Sequence, residues 1–137
     1  MKYLAFISLL FAGLHLSATP IDSTINIDQQ DINGSIASYI RSGDSKSLAN
    51  YFSATLDLTV PGNEGTYSKS QAEIIVKNFF SQYAPVTFTV NQQGSSGEGS
   101  QFAIGTLKTA SGSFRAYYLL KKSAGQQLIV VLQFEEE

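Results

Sequence analysis

A chain of 137 residues with 43% apolar and 12% aromatic side chains has the size and composition of one globular domain, able to bury roughly two-thirds of its unfolded surface. Its 9 Lys and Arg stand against 11 Asp and Glu, for a formal charge of −2, and three of the acids form the terminal run Glu135, Glu136 and Glu137. Cations this few and scattered assemble neither a phosphate-binding stripe nor a polybasic membrane patch, which argues against nucleic acid as a partner.

The first segment reads as an export signal. Met1-Lys2 is a short positive start, and Tyr3 to Leu16 is an apolar run interrupted by Ser8, Gly13 and His15. As a helix that run spans roughly 20 Å, short of the ~30 Å hydrocarbon core of a bilayer, and small residues follow at Ser17-Ala18-Thr19. Residues 1–18 are therefore expected to be a signal peptide cleaved after Ala18. The product would be exported, periplasmic or secreted, with no stable membrane insertion after cleavage.

The sequence has no cysteine, and its one histidine is His15. Cleavage would remove it. A mature chain without Cys or His has no Ser-His-Asp or Cys-His nucleophile system, no thiolate and no histidine-bearing zinc or copper site. Acid-base chemistry on Asp, Glu, Lys or Tyr stays open. No EF-hand spacing is present, and neither a metal nor a cofactor is expected.

Residues 19–27 form a polar lead-in, and 28–137 form the single domain. Asp28 or Asp31 can cap a first helix in which Ile32, Ile36, Tyr39 and Ile40 make one apolar stripe, stopped by Ser42-Gly43. Asp44 or Ser45 starts a short second helix through Leu48, Tyr51 and Phe52. Thr55 to Val60 alternates Leu56, Leu58 and Val60 with polar residues, as a half-buried strand does, and Pro61-Gly62 ends it. Ser68-Lys69-Ser70-Gln71 has the spacing of a capping box, and Ala72, Ile75, Val76, Phe79, Phe80 and Tyr83 recur at helical intervals up to Pro85.

Four strands follow: Val86–Gln92, Gln101–Lys108, Ser113–Lys122 and Gln127–Phe134. Glycine-containing turns join them as an antiparallel meander. The order α-α-β-α-β-β-β-β defines an α+β fold, with helices packed on one face of a strongly curved antiparallel sheet. In the last strand, plain alternation puts Ile129 and Val131 on one face and Leu128, Val130 and Leu132 on the other. Both faces then need cover, either from a loop or terminus over the second face or from a homodimer contact through the outer sheet face.

Two charged side chains and four tyrosines invite a chemical role. Asp57, a carboxylate in mid-strand, is a candidate general base. Arg115 shares a face with Tyr117 and can pair with an anion or with Asp57. Tyr67, Tyr83, Tyr117 and Tyr118 carry hydroxyls able to meet a developing oxyanion, although amphipathic core positions explain tyrosines equally well. Gly94 to Gly99 joins two strands with no following helix, so it reads as a turn rather than a phosphate loop. Asn33-Gly34-Ser35 spells a glycosylation sequon inside the predicted first helix and reads as a chance match.

The segments Asp57-Leu-Thr-Val-Pro-Gly-Asn-Glu-Gly65, Tyr67-Ser-Lys-Ser-Gln-Ala-Glu73, Gly94-Ser-Ser-Gly97, Ala103-Ile-Gly-Thr-Leu107 and Phe114-Arg-Ala-Tyr-Tyr-Leu-Leu-Lys-Lys122 resemble a domain-of-unknown-function family, numbered 4783, of secreted Bacteroidota proteins. The element order resembles the wider nuclear-transport-factor-2-like (cystatin-like) superfamily. That resemblance implies a cone of helices and curved sheet enclosing a pocket, in a superfamily with both enzymes and non-catalytic members. It implies no catalytic residues for this chain.

The preferred expectation is a non-catalytic exported domain that binds a small apolar or amphiphilic ligand, or a partner protein, with Asp57, Arg115 and Tyr117 as candidate contacts. The alternative is an isomerase- or hydrolase-like enzyme with Asp57 as general base and a Tyr or Arg115 as its partner.

Overall fold

The computed structural model describes residues 27–137. The expected signal peptide and nearly all of the lead-in lie outside the described residues. Helix α1 (Ile27–Ser42) carries the expected stripe, with Ile36 and Ile40 buried. Gly43, at φ +67°, ends it in a Schellman motif: its N–H donates to the Ile40 carbonyl at 3.2 Å and the Asp44 N–H to the Tyr39 carbonyl at 2.9 Å. Asp44 at once caps α2 (Ser45–Ala49), its carboxylate accepting from the backbone N–H and the hydroxyl of Ser47. These bonds from Ser47 hold the Asp44 carboxyl below the usual aspartate pKa.

Helix α2 stops at Ala49, short of the expected Tyr51 and Phe52, and strand β1 (Phe52–Val60) starts three residues before the expected Thr55; it buries Leu56, Leu58 and Val60 as the alternation requires. Pro61-Gly62 then turns the chain straight back, with Gly62 at φ +87° as the third residue of a type II turn needs. The result is a hairpin with β2 (Asn63–Ser68), a strand the sequence pattern did not predict. Its residues are mostly exposed and carry no apolar alternation; the ladder to β1 makes it a strand. Ser68 next caps α3 (Lys69–Gln82) in the expected capping box with Gln71.

The meander consists of β3 (Pro85–Ser95), β4 (Gln101–Thr109), β5 (Gly112–Ser123) and β6 (Gln126–Glu136). All six strands form one sheet in the order β2-β1-β6-β5-β4-β3. Neighbours are antiparallel except β1 and β6, which pair in parallel. The expected all-antiparallel sheet is corrected at that junction, because β2, α3 and the first three strands of the meander form the long crossover that parallel neighbours require.

The face assignment of the last strand also changes. Leu119 pairs with Val131 but Leu120 pairs with Ile129, so Val130 is an extra residue. This β-bulge reverses the phase, and Ile129 and Leu132 both face the core, each fully buried, while Val131 faces out. A second irregularity in β3 sits at Asn91, between the pairs Val90–Gly105 and Gln92–Ile104. Bulges bend the strands that carry them, and these two lie on either side of the β4–β5 ladder.

Helix α3 covers one end of the concave face with an aromatic cluster. Phe79 stacks on Phe134 at 4.8 Å between ring centroids and meets Phe114 edge-on at 5.2 Å, while Tyr83 packs on Phe114 at 4.9 Å. Such contacts stabilise beyond the area they bury. This end of the cone is filled by the protein's own side chains.

Candidate functional site

Helix α1 crosses the other end of the concave face beside β3, and there the two elements diverge. At the near end Arg41 donates from Nη2 to the Phe88 carbonyl at 3.3 Å. Toward the start of α1 the gap opens into a cleft of about 480 Å³, lined by Asn33, Gly34 and Ala37 of α1, by Val90 and Gln93–Ser95 of β3, and by Gln101 of β4. Among the described residues, none of the lining side chains is ionisable. The volume lies within the range of small-molecule sites.

A part-buried chain of hydrogen bonds forms the floor. Tyr118, 1% exposed, donates its hydroxyl to Asn33 Oδ1 at 3.2 Å, and Asn33 Nδ2 donates to Gln101 Oε1 at 2.9 Å. Each residue satisfies the next, which fixes the orientation of both amides. Gln101 also lines the cleft. Desolvation pushes the Tyr118 phenol up to about 12, so it stays a donor throughout the neutral range. Beyond the cleft, Gln127 Nε2 holds the carbonyl of Gly99 at 3.1 Å, while its buried Oε1 has no partner among the described residues.

Glycine has two distinct uses here. A Cβ on Gly94 would come within 2.6 Å of the Phe102 ring, so Gly94 is the space that ring occupies. Gly34 is different. It lies in mid-helix, a Cβ there would meet nothing within 4 Å, and it lines the cleft.

The three residues singled out from the sequence lie elsewhere. Asp57, Arg115 and Tyr117 all point from the outer face, in three separate cross-strand rows: Phe102–Leu119–Val131–Asp57, Ile104–Tyr117–Gln133 and Thr106–Arg115–Glu135. Asp57 is exposed and accepts from the Thr66 hydroxyl at 2.6 Å. Its expected ion pair with Arg115 does not form, because the two residues lie two strands and two rows apart. Tyr117 is half-buried between Ile104 and Gln133. Of the other tyrosines, Tyr83 belongs to the aromatic cluster and Tyr67 packs on the edge of the core.

The cleft residues had a detectable signal. Asn33 lies at i, i+4 and i+7 with Ala37 and Ile40, inside the apolar stripe. Gln101 shares the inward phase of Ala103, Gly105 and Leu107. A polar side chain in an apolar phase marks either a buried network or a site, and here it marks both.

Among the described residues, no group of three potential ligands from His, Cys, Asp and Glu could hold a metal ion, and no helix is long and apolar enough to cross a membrane. Helices on the concave face of a curved sheet, with a cleft at one end, define the nuclear-transport-factor-2-like or cystatin-like class. A domain of unknown function with a cystatin-like fold from Nostoc punctiforme superposes with a TM-score of 0.63 at 14% identity, over 83% of this chain and 80% of that one. The chain belongs to the DUF4783 family, a domain of unknown function whose model matches residues 33–135.

Two crystal structures of DUF4783 family proteins are similar to it. The one from Bacteroides ovatus is 31% identical, with a TM-score of 0.71, over 75% of this chain and 93% of that one. The one from Bacteroides uniformis is 27% identical, with a TM-score of 0.74, over 77% and 97%. No curated protein matches the chain.

Proposed function

We propose that this protein is an exported, non-catalytic binding domain whose ligand site is the cleft between α1 and β3. The observation that carries this reading is the Tyr118–Asn33–Gln101 chain, a part-buried polar network whose Asn33 and Gln101 line the cleft. A ligand meeting fixed donors loses little to reorganisation. The lining favours a neutral ligand, because a charge entering a site without an opposite charge pays its desolvation uncompensated. The apolar end of the cone is occupied by Phe79, Phe114 and Phe134, so the ligand is more polar than the apolar molecule expected from the sequence.

Binding is preferred to catalysis because Asp57, the candidate base, sits on the opposite face of the sheet from the cleft. The outer face carries Phe102, Ile104, Tyr117, Leu119 and Val131 in adjacent rows, which supports the second part of the reading, a homodimer formed through that face.

Native mass spectrometry of the protein purified from its own host tests all parts together. The expected spectrum shows a dimer, a chain mass lacking residues 1–18, and a retained neutral ligand that is lost in the Gln101→Leu variant. A monomer would remove the dimer, an intact Met1 in the exported fraction would remove cleavage, and a ligand retained equally by the variant would remove the cleft.

A further inference from the structure

The cleft has one wall made of main chain. Strand β3 ends the sheet, and among the described residues no strand lies beyond it. In an antiparallel ladder, the N–H and C=O of alternate residues point toward the partner strand and away from it. Two observations set the phase. The Phe88 carbonyl is taken by Arg41 rather than by β4, so Phe88 points outward, and Val90, two residues on, does the same. At the far end the Ser96 N–H donates inward to Ser100 at 2.8 Å, which turns Ser95 and Gln93 outward. The Asn91 bulge reconciles the two phases.

Val90, Gln93 and Ser95, whose main-chain groups face away from the sheet, are among the β3 residues that line the cleft. The opposite wall, on α1, is small at Gly34 and Ala37. Arg41 closes the groove at Phe88 and leaves it open from Val90 onward.

Resting on the reading of the cleft as a ligand site, we infer that its ligand is an extended peptide segment, which adds to the free edge of β3 as a further strand and lies between that edge and α1. A row of alternating outward donors and acceptors is matched by another backbone. The neutral amide and hydroxyl lining of Asn33, Gln93, Ser95 and Gln101 selects peptide side chains that are small and uncharged. Gly34 admits the strand: a mid-helix glycine costs stability, and since no neighbour forbids a Cβ there, the space it leaves serves the bound chain.

The test is selection of a random-peptide library on the protein purified from its host, followed by calorimetry with the synthetic form of an enriched peptide. Uncharged sequences are expected. N-methylation of one alternate set of the peptide's amides should weaken binding by about tenfold or more, while methylation of the other set leaves it unchanged. Gly34→Leu should weaken binding to a similar degree while its thermal midpoint does not fall, and hydrogen exchange at Val90, Gln93 and Ser95 should slow when peptide is bound. Equal binding of both methylated series, or no enrichment at all, overturns the inference. If no peptide binds but mass spectrometry finds a small neutral molecule sensitive to Gln101→Leu, the cleft survives as a site and the strand addition falls. Loss of both results removes the site itself.

Discussion

The two ends of the concave sheet face are built from the same strands and have opposite interiors. At the α3 end, Phe114 and Phe134 meet Phe79 and Tyr83 in a dry cluster. At the α1 end, the same strand β5 presents Tyr118 to Asn33, and β4 presents Gln101. One strand therefore carries a stabilising position and a site position four residues apart on a single face. Truncations at the first should change folding alone, and changes at the second should alter both folding and binding.

The largest effect is expected from Phe134→Ala, which leaves a cavity beneath Phe79 and Phe80. Chemical denaturation should show a loss of about 3–5 kcal/mol, with ligand affinity of the folded fraction unchanged. Next comes alkaline pH. The folded Tyr118 phenol holds its proton up to about 12, whereas an unfolded tyrosine releases it near 10. The contribution is fully present below pH 10 and is lost as pH rises toward 12, for a total of about 2–3 kcal/mol. Denaturation midpoints measured across that window should fall in the wild type, and Tyr118→Phe should remove this component of the fall.

At neutral pH, Tyr118→Phe withdraws the donor from Asn33 Oδ1 and should cost about 1–3 kcal/mol, together with weaker binding, since the amide pair loses its orientation. The smallest effect runs the other way. Gly34→Ala should stabilise the protein by about 0.5–1 kcal/mol through helix propensity while lowering affinity for the cleft ligand. A substitution that improves the fold and harms the site would separate the two ends most cleanly.

Local signals carried far into this fold. The stripe of α1, the Gly43 stop, the Asp44 cap, the Ser68–Gln71 capping box and the four strands of the meander all follow from short-range chemistry, and each is present. What escaped depends on partners distant in the chain. Strand β2 exists because β1 lies beside it, and the parallel β1–β6 contact is made across β2, α3 and the first three strands of the meander.

The site was harder to read for a related reason. Asp57 drew notice because it is charged, yet in a strand that alternates apolar and polar residues a charge falls most naturally on the solvent side, where it lies. Asn33 and Gln101 are uncharged and sit within apolar phases, and they acquire meaning only when α1 is laid across β4. Gly34 entered the sequence reading only as the middle of a chance sequon, and its place on the cleft needs the fold.

Val130 shows how much depends on one residue of chain length. Before it, odd-numbered side chains of β6 face the core, as Gln127 and Ile129 do; after it, even-numbered ones do, as with Leu132 and Phe134. If β6 paired without that bulge, plain alternation would carry Leu132 and Phe134 to the outer surface and strip α3 of its stacking partner. A one-residue slip in the pairing of the last strand would exchange the inside of the molecule for its outside, and the bulge at Val130 is what absorbs it.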